Sequence, residues 1–251
     1  MRKQNLDLQA LAAQHQAEAI AARLARARRP SYLGDAVLGA IDGCVTTFAV
    51  VAGAAGANLA ASVALILGVA NLIADGFSMA VSNYQRARSE QGLLAKARAI
   101  EEMHIRWVPE GEREEVRQVF AAKGFRGEEL ERIVAIITQD PKRWVDTMLT
   151  EELGLKLELP KPFRAALATF AGFSAAGLVP LGPYLIPGGL CRQAFWISAG
   201  LTGLTFFAIG VLKGYVLLQG WLKSGLETLA LGGAAAGLAY AAGELLQRLM
   251  G

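Results

Sequence analysis

The chain has 251 residues, of which 53% are hydrophobic, and a formal net charge of +3. A soluble domain of this size is about 45–50% apolar and mixes apolar with charged residues along each helix. This chain instead collects its apolar residues in two blocks, 36–84 and 165–246. Such segregation argues against a soluble protein and indicates a membrane part joined to an aqueous part. Two isolated cysteines, Cys44 and Cys191, exclude a disulfide framework.

The N-terminal segment, residues 1–33, has no apolar run of the kind that a secretory signal peptide contains. Leu8–Ala27 is rich in alanine and glutamine. Arginines lie within this stretch and just after it, at Arg23, Arg26, Arg28 and Arg29. We predict an amphipathic helix on the cytosolic surface of the membrane. The alternative is a solvated or frayed tail.

Five segments are apolar over the roughly 20 residues that a helix needs to cross a bilayer. They are Ala36–Ala57, Leu59–Tyr84, Ala165–Ile186, Ala194–Leu218 and Leu226–Leu246. The first two lie in the segment 34–87 and the other three in 161–251. The predicted fold class is an all-α integral membrane protein with five transmembrane helices per subunit. A cytosolic helical insert separates spans 2 and 3.

Proline and glycine mark special positions in these spans. Prolines near the end of the third span predict a kinked or unwound end; they are Pro180, Pro183 and Pro187. Gly39 and Gly43 in the first span, and Gly233 and Gly237 in the fifth, form small-xxx-small pairs. Such pairs let helix backbones approach closely in lipid, although ordinary membrane composition also produces them by chance.

The segment between spans 2 and 3, residues 88–160, is predicted to be a cytosolic, acidic metal-binding domain. Its pattern and its breaks indicate helices at Gln85–Met103, Glu110–Lys123, Gly127–Gln139 and Pro141–Leu153. Asp140 before Pro141 fits an N-cap with proline at the first helical position. The plausible breaks or C-caps are Gly124, Gly127 and Gly154.

Lysine and arginine are distributed unevenly around the five spans. Six lie before the first span and fifteen between Gln85 and Arg164. Lys213 and Lys223 flank the fourth-to-fifth connection, and only Arg192 and Arg248 fall on the other side. By the positive-inside rule, the N-terminus and the insert are cytosolic and the C-terminus is outside. That arrangement requires an odd number of spans, which agrees with five.

Acidic side chains in the spans are the first candidate functional residues. A carboxylate at mid-bilayer costs several kcal/mol unless it is paired, hydrated or bound to a cation. Asp42 lies in the first span with Asp35 two turns before it, and Asn71, Asp75 and Met79 form one stripe of the second. Neither span contains a basic residue, so a metal ion, protons or water remain as partners. The stripe suits Fe2+ better than Mg2+ or Ca2+, although core packing explains Met79 equally well.

The acidic insert supplies the second set of candidates, because residues 101–152 contain thirteen acidic side chains. Carboxylates on facing helices of a bundle can form a metal site. The candidate ligands are Glu101, Glu102, His104, Glu112, Glu115, Met148, Glu151 and Glu152. The alternative is a solvated helix face, in which Arg113, Arg117 and Arg132 pair with the acids.

Several enzyme classes lack support in the sequence. Glu101 and His104 have the spacing of one di-iron ligand pair, but a ferroxidase needs two such pairs. The other histidine, His15, has Ala12 at that spacing. The sequence contains no GxxxxGK[ST] loop, which argues against ATP-driven pumping. We therefore expect a protein that is not an enzyme. Nucleic-acid binding has no support either, because membrane topology explains the basic residues.

Three motifs closely resemble those of the vacuolar iron transporter family. They are Asp42–Gly53 (DGCVTTFAVVAG), Asn71–Ala80 (NLIADGFSMA) with Asn83 and Tyr84, and Trp144–Leu155 (WVDTMLTEELGL). The resemblance extends from Asp35 to Leu246. It implies a homodimer with five spans per subunit and an ion path at the dimer interface. It also implies export of Fe2+ from the cytosol in exchange for protons, with Mn2+ as a second substrate.

The resemblance also suggests roles for individual residues. It places intramembrane ligands at Asp42 and Met79, and cytosolic ligands at Glu101, Glu112, Glu115, Met148 and Glu152. Two departures bear on metal preference. Asn71 stands where plant-type members are usually acidic, with Asp75 one turn on, and His104 falls near an expected glutamate.

The working hypothesis is that cytosolic carboxylates collect Fe2+ and that Asp42 and Asp75 carry it through the membrane. Protons would then release the ion on the outer side. The rival classes are a membrane-anchored iron buffer or sensor without transport, and a proton-coupled carrier of an organic solute. The short loops fit the plasma membrane of a prokaryote better than a vacuole.

Overall fold

A computed structural model describes residues 8–27, 30–185, 191–216 and 220–250 of the chain. Helices dominate these ranges, which contain no strand. The helices are α1 (Leu8–Ala13), α2 (Ala17–Ala27), α3 (Leu33–Gly56), α4 (Ala61–Trp107), α5 (Pro109–Ala122), α6 (Gly127–Thr138), α7 (Pro141–Thr147), α8 (Pro162–Leu181), α9 (Cys191–Val216) and α10 (Trp221–Met250). A π-helical turn, Met148–Glu152, follows α7, and a 3-10 turn, Gly182–Leu185, follows α8.

Five of the described helices are long and apolar enough to cross a membrane. They are α3, α4, α8 with its 3-10 turn, α9 and α10. The predicted fold class is therefore confirmed: the chain is an all-α, multi-pass integral membrane protein. The predicted ends of spans 3 and 4, at Ile186 and at Leu217 and Leu218, lie outside the described residues, as does Pro187.

The N-terminal segment differs from its prediction, because Leu8–Ala27 forms two helices and not one. The backbone N–H groups of His15 and Gln16 donate to carbonyls three residues back, at Ala12 and Ala13. Such i→i−3 bonds tighten a turn and end the α-helix. Arg28 and Arg29 lie outside the described residues. The placement of this segment on a membrane surface stays a prediction.

The chain divides into two compact units. The membrane unit consists of Tyr32–Ala87 and Lys161–Gly251. In it, α3 packs against α8, α9 and α10. A Cβ atom added to Gly43 would lie 2.2 Å from the carbonyl oxygen of Phe173 on α8, and one added to Gly39 would lie 2.1 Å from that of Thr169. The first predicted glycine pair thus marks a close backbone contact.

The second predicted pair, Gly233 and Gly237, has a different environment. An added Cβ would meet nothing within 4 Å at either position. The close contact of α10 with α3 uses other glycines. An added Cβ would lie 2.2 Å from the Tyr240 carbonyl oxygen at Gly56, and 2.2 Å from the Gly53 carbonyl oxygen at Gly243. Of the two glycine pairs predicted from spacing, Gly39 and Gly43 lie in a close helix contact within the described chain, and Gly233 and Gly237 do not.

The prolines of the third span end its helix. Pro180 occupies the last turn of α8, and the chain continues as the 3-10 turn. Proline has no N–H group and cannot complete the helical ladder. The Ser198 hydroxyl on α9 donates to the Pro180 carbonyl oxygen at 2.7 Å, which satisfies an acceptor at this helix end.

The aqueous unit contains Arg88–Pro160 together with the described residues of Met1–Ser31. Its hydrophobic core joins α5, α6 and α7 with the π-turn through Val116, Leu130, Val134, Ile137, Trp144 and Met148. Asp140 caps α7, because its Oδ1 accepts from the backbone N–H of Arg143 at 2.9 Å. Gly124 and Gly154 follow helix ends with φ of +102° and +63°, as glycine C′ residues do.

The π-turn is the second departure from the prediction, which placed one helix over Pro141–Leu153. The N–H of Leu153 donates to the Met148 carbonyl at 3.1 Å, five residues back. The Thr150 hydroxyl donates to the carbonyls of Asp146 and Thr147 within the widened turn. Single π-turns often occur at functional sites, and this one carries Glu152.

Candidate functional site

Two carboxylates and one imidazole of the aqueous unit meet in one cluster. Glu101 and His104 are three residues apart on α4 and share a helix face. Glu112 lies in the first turn of α5, which begins two residues after α4 ends. One potential ligand atom from each side chain lies within 4.8 Å of the others, a spacing that could hold a metal ion.

The two carboxylates of this cluster are buried and its imidazole, His104, is exposed. The burial of the carboxylates favours an ionic ligand. Glu101 is 5% exposed and Glu112 is 3% exposed. The Nδ1 atom of His104 lies 3.2 Å from Oε1 of Glu112. The Oε2 atoms of Glu101 and Glu112 are buried and have no hydrogen-bond partner among the described residues. A buried, unpartnered carboxylate oxygen is costly, and a cation at this position would satisfy both oxygens.

The electrostatics of the cluster point the same way. Burial, reinforced by the nearby carboxylates of Glu115 and Glu101, raises the pKa of Glu112 to about 7. Partial desolvation, together with Glu115 and Glu101, also raises the pKa of Glu152. These groups resist ionisation first because they are buried and second because their neighbours are negative. A bound divalent cation would favour the ionised carboxylates and so lower their pKa values.

The other predicted cytosolic ligands fall into three groups. Glu115 and Glu152 lie within electrostatic reach of the cluster from α5 and from the π-turn. Met148 is fully buried in the hydrophobic core. Glu102 and Glu151 are not brought to the cluster. Glu151 pairs with Lys123, and Glu102 lines a separate cavity with Arg98, Arg106 and Lys142.

Two of the three arginines named in the solvated-face alternative, Arg113 and Arg117, pair with acids outside the cluster. Arg113 pairs with Glu110. Arg117 pairs with Glu114 and Glu131. None of these three acids is a predicted ligand. The solvated-face description therefore fits this outer surface and does not account for the two buried carboxylates, Glu101 and Glu112.

In the membrane unit, Asp42 on α3 and Asp75 on α4 lie within electrostatic range of each other. Asp42 is half-buried and Asp75 is exposed. Among the described residues, no basic side chain lies within salt-bridge distance of either. Asn71 donates to the Thr46 hydroxyl at 3.2 Å, and that hydroxyl donates to the Asp42 carbonyl oxygen at 2.9 Å. These bonds join α4 to α3 at the level of Asp42.

Asp35 differs from the other intramembrane candidates because it has a basic partner. Its Oδ1 lies 3.2 Å from Arg86 Nη2 and accepts from Asn83 Nδ2 at 3.0 Å. Arg86 follows the predicted end of span 2 by two residues, so a count of charges inside the spans did not include it. Met79 is partly buried against an apolar cluster that contains Phe48 and Phe173, as its packing alternative expects.

Asn83 is a polar residue to which the sequence reasoning gave no role. Its Nδ2 also donates to Thr169 Oγ1 at 2.6 Å and to the Ala165 carbonyl at 3.2 Å. Its Oδ1 accepts from Arg86 Nε at 2.9 Å. Asn83 is thus a buried junction of α3, α4 and α8. The signal for it was present, because it continues the i, i+4 series of Asn71, Asp75 and Met79.

Comparisons with known proteins agree with this architecture. The model of the VIT family matches residues 33–244. The vacuolar iron transporter of Toxoplasma gondii is 33% identical over 229 residues, which are 88% of this chain and 76% of that protein. Vacuolar iron transporter 1 of Eucalyptus grandis is 34% identical over 217 residues, 85% of this chain and 86% of the relative. Vacuolar iron transporter 1 of Arabidopsis thaliana is 33% identical over 217 residues, 85% of each chain. On this evidence the chain belongs to the VIT family.

Proposed function

We propose that this protein transports Fe2+ out of the cytosol in exchange for protons, with Mn2+ as a second substrate. The relatives reported above are named iron transporters, and we extend that activity to this chain. Transport, and not catalysis, is the function. The substrate is a travelling ion, so its sites must bind it reversibly.

One observation carries the proposal: Asp42 and Asp75, two carboxylates in membrane helices, lie near each other, and neither has a basic partner in the part of the chain that the structure describes. Such a pair is unfavourable in a bilayer unless a cation, protons or water compensate it. A divalent ion would neutralise both charges at once. Protons from the far side would compete for the same oxygens and release the metal.

The cluster of Glu101, His104 and Glu112 is assigned to the first step, capture of the ion from the cytosol. Its mixture of carboxylate and imidazole ligands suits Fe2+ and Mn2+ better than Ca2+. Glu115 and Glu152 add negative charge that raises the local cation concentration. Several weak ligands allow the ion to leave as readily as it arrives.

The functional unit in this proposal is a homodimer embedded in lipid. Asp42, Asp75 and Met79 from both subunits would line the ion path, and Asp35 would help to fix the path's cytosolic end through Arg86. The N-terminus and the aqueous unit are placed in the cytosol and the C-terminus outside. The names of the relatives favour a vacuolar or organellar membrane over the prokaryotic plasma membrane that loop length suggested.

Metal flux into liposomes tests the proposal. Purified protein would be reconstituted with a metal-sensitive dye inside and an acidic interior. We expect Fe2+ or Mn2+ entry that depends on the pH gradient and is abolished in Asp42→Asn. The control is Asp140→Asn, the same chemical change at a helix cap, because asparagine caps as well as aspartate does. Wild-type rates in Asp42→Asn would refute the role of Asp42.

The second candidate function is a membrane-anchored iron buffer or sensor. It is favoured by the location of the Glu101–His104–Glu112 cluster, whose residues all belong to the aqueous unit and could bind metal without transport. The same liposomes distinguish the two functions. A buffer binds metal at the aqueous unit, gives no flux, and is indifferent to Asp42→Asn.

A further inference from the structure

One acid of the proposed ion path already has a cation beside it, and that cation belongs to the chain itself. Nη2 of Arg86 lies 3.2 Å from Oδ1 of Asp35. Asp35 is in the first turn of α3, seven residues before Asp42. Seven residues are about two helical turns, so the two carboxylates share a face and are separated by about 10 Å along the axis. In the proposed orientation, an ion that comes from the cytosol reaches Asp35 before Asp42.

One buried amide holds both members of this ion pair. Asn83 is 8% exposed. Its Nδ2 donates to Asp35 Oδ1 at 3.0 Å, and its Oδ1 accepts from Arg86 Nε at 2.9 Å. Thr169 Oγ1 lies 2.6 Å from Asn83 Nδ2 and anchors the amide to α8. An isolated surface ion pair contributes little to stability, whereas a pair fixed by a network of this kind is held in one geometry.

The two partners of the ion pair are exposed to different degrees. The Asp35 side chain is 12% exposed, whereas the Arg86 side chain is 48% exposed. Arg86 is the second-to-last residue of the membrane unit on α4, which ends at Ala87. A long arginine side chain at such a position can move its charged group toward water. The carboxylate is therefore fixed within the helix packing, and the guanidinium is the partner that can leave.

Arg86 also extends the polar stripe of α4. It follows Asn83 by three residues and Asp75 by eleven, which places all three on one helix face. In the described ranges, neither Asp42 nor Asp75 has a basic side chain within salt-bridge distance. These two acids need an arriving cation for compensation, whereas Asp35 already has one. An ion can therefore use Asp35 as a ligand only by displacing Arg86.

We propose that Arg86 is a tethered competitor of the transported ion at Asp35. It neutralises this carboxylate while no metal is present, and a divalent ion displaces it on entry. The ion can compete because it brings two positive charges where the guanidinium brings one. Arg86 thus sets the metal concentration at which the entrance fills. This inference rests on the proposed function, but its first test needs no transport.

Mn2+ binding to the purified full-length protein is the first test, measured by isothermal titration calorimetry in a Glu112→Gln background that weakens the aqueous cluster. Arg86→Gln should tighten Mn2+ binding about fivefold, the effect of one competing ion pair. The gain should vanish when Asp35→Asn is added, because no carboxylate is then freed. Arg86→Lys keeps the positive charge and should bind as the background protein does. The control is Arg88→Gln, which removes the same charge from the opposite side of α4 and should give no gain.

An ion pair that only clamps the helices predicts different results. Its loss would lower the thermal unfolding midpoint without tightening Mn2+ binding. Arg86→Met is a second neutral variant, and the absence of a gain in both Arg86→Gln and Arg86→Met would overturn the proposal. An equal gain in the Asp35→Asn background, or in Arg88→Gln, would also overturn it, because a general loss of positive charge would then explain the effect.

Flux into liposomes is the second test. In Arg86→Gln the KM for Mn2+ should fall by the same factor and the maximal rate should not rise, because a freed ligand strengthens binding of the ion before it moves. An unchanged KM in active liposomes would contradict a role of Arg86 in entry. Absence of flux in the wild type would contradict the proposed transport. The binding gain would still show that Arg86 and the metal compete for Asp35.

Discussion

At the scale of single residues, Glu112 combines a buried position with negative neighbours at Glu115, Glu101 and Glu152, an arrangement that a bound cation would stabilise. We expect Glu112→Gln, which keeps the side-chain volume, to weaken Mn2+ binding to the purified protein about tenfold or more, because a charged ligand becomes neutral. Isothermal titration calorimetry would measure this. Glu114→Gln is the control, since Glu114 pairs with Arg117 on the exposed surface. Equal losses in the two variants would contradict a specific site.

The pH dependence of metal binding follows from the same residue. The pKa of Glu112 is about 7 without metal, so below pH 7 the ion must displace a proton and above pH 7 it need not. Metal affinity should therefore fall as the pH decreases through 7, approaching about tenfold per pH unit for one displaced proton. Mn2+ titrations over this range would measure the slope. In Glu112→Gln the slope should flatten, and an unchanged slope would assign the proton to another group.

Spacing along the sequence identified some residues of the cluster, but it could not show which of the other acidic candidates belong to it. The i, i+3 relation of Glu101 to His104 is a property of one helix and was visible in the sequence. Glu102 differs from Glu101 by one position, which on a helix turns the side chain by about 100° away from the cluster. The meeting of Glu112 with Glu101 depends on how the chain folds back at Val108 and Pro109. No spacing rule encodes that direction.

At the scale of helices, the length of the apolar segments predicted the five membrane helices. It did not predict two local breaks in helices, which depend on short-range backbone hydrogen bonds. The break between α1 and α2 rests on two i→i−3 bonds near His15. The π-turn ends with an i→i−5 bond from Leu153 to Met148. Each is a small energetic preference within a segment of helical composition. Composition averaged over a helix cannot register such preferences.

The contact between α3 and α8 gives a prediction at this scale. Gly43→Ala would place a Cβ 2.2 Å from the Phe173 carbonyl, so the two backbones must separate. Overpacking of this kind costs about 1–3 kcal/mol, and the midpoint of thermal unfolding in detergent should fall. Gly34→Ala is the control on the same helix, because an added Cβ there meets nothing within 4 Å. An unchanged midpoint for Gly43→Ala would mean that this contact is not close in the folded protein.

At the scale of the whole molecule, segregation of composition predicted a membrane part interrupted by an aqueous one. The pairing of distant segments lay beyond that pattern. Asp35 and Arg86 are 51 positions apart and meet because α3, α4 and α8 converge on Asn83. Because of this ion pair, the charge of Asp35, which was predicted to line the ion path, is neutralised. Charge counted along a chain gives the side of the membrane; charge compensation depends on tertiary contacts.

Orientation in the membrane is the last prediction, and it rests on the uneven distribution of lysine and arginine. In a variant without Cys44 and Cys191, single cysteines would replace Glu128 in α6 or Leu249 near the end of α10, both exposed. In intact bacterial spheroplasts, a membrane-impermeant maleimide should label Leu249→Cys and should label Glu128→Cys only after permeabilisation. Labelling of both positions in intact spheroplasts would place the aqueous unit and the C-terminus on one side. An odd number of spans cannot give that result, so one of the five helices would then lie in the membrane without crossing it.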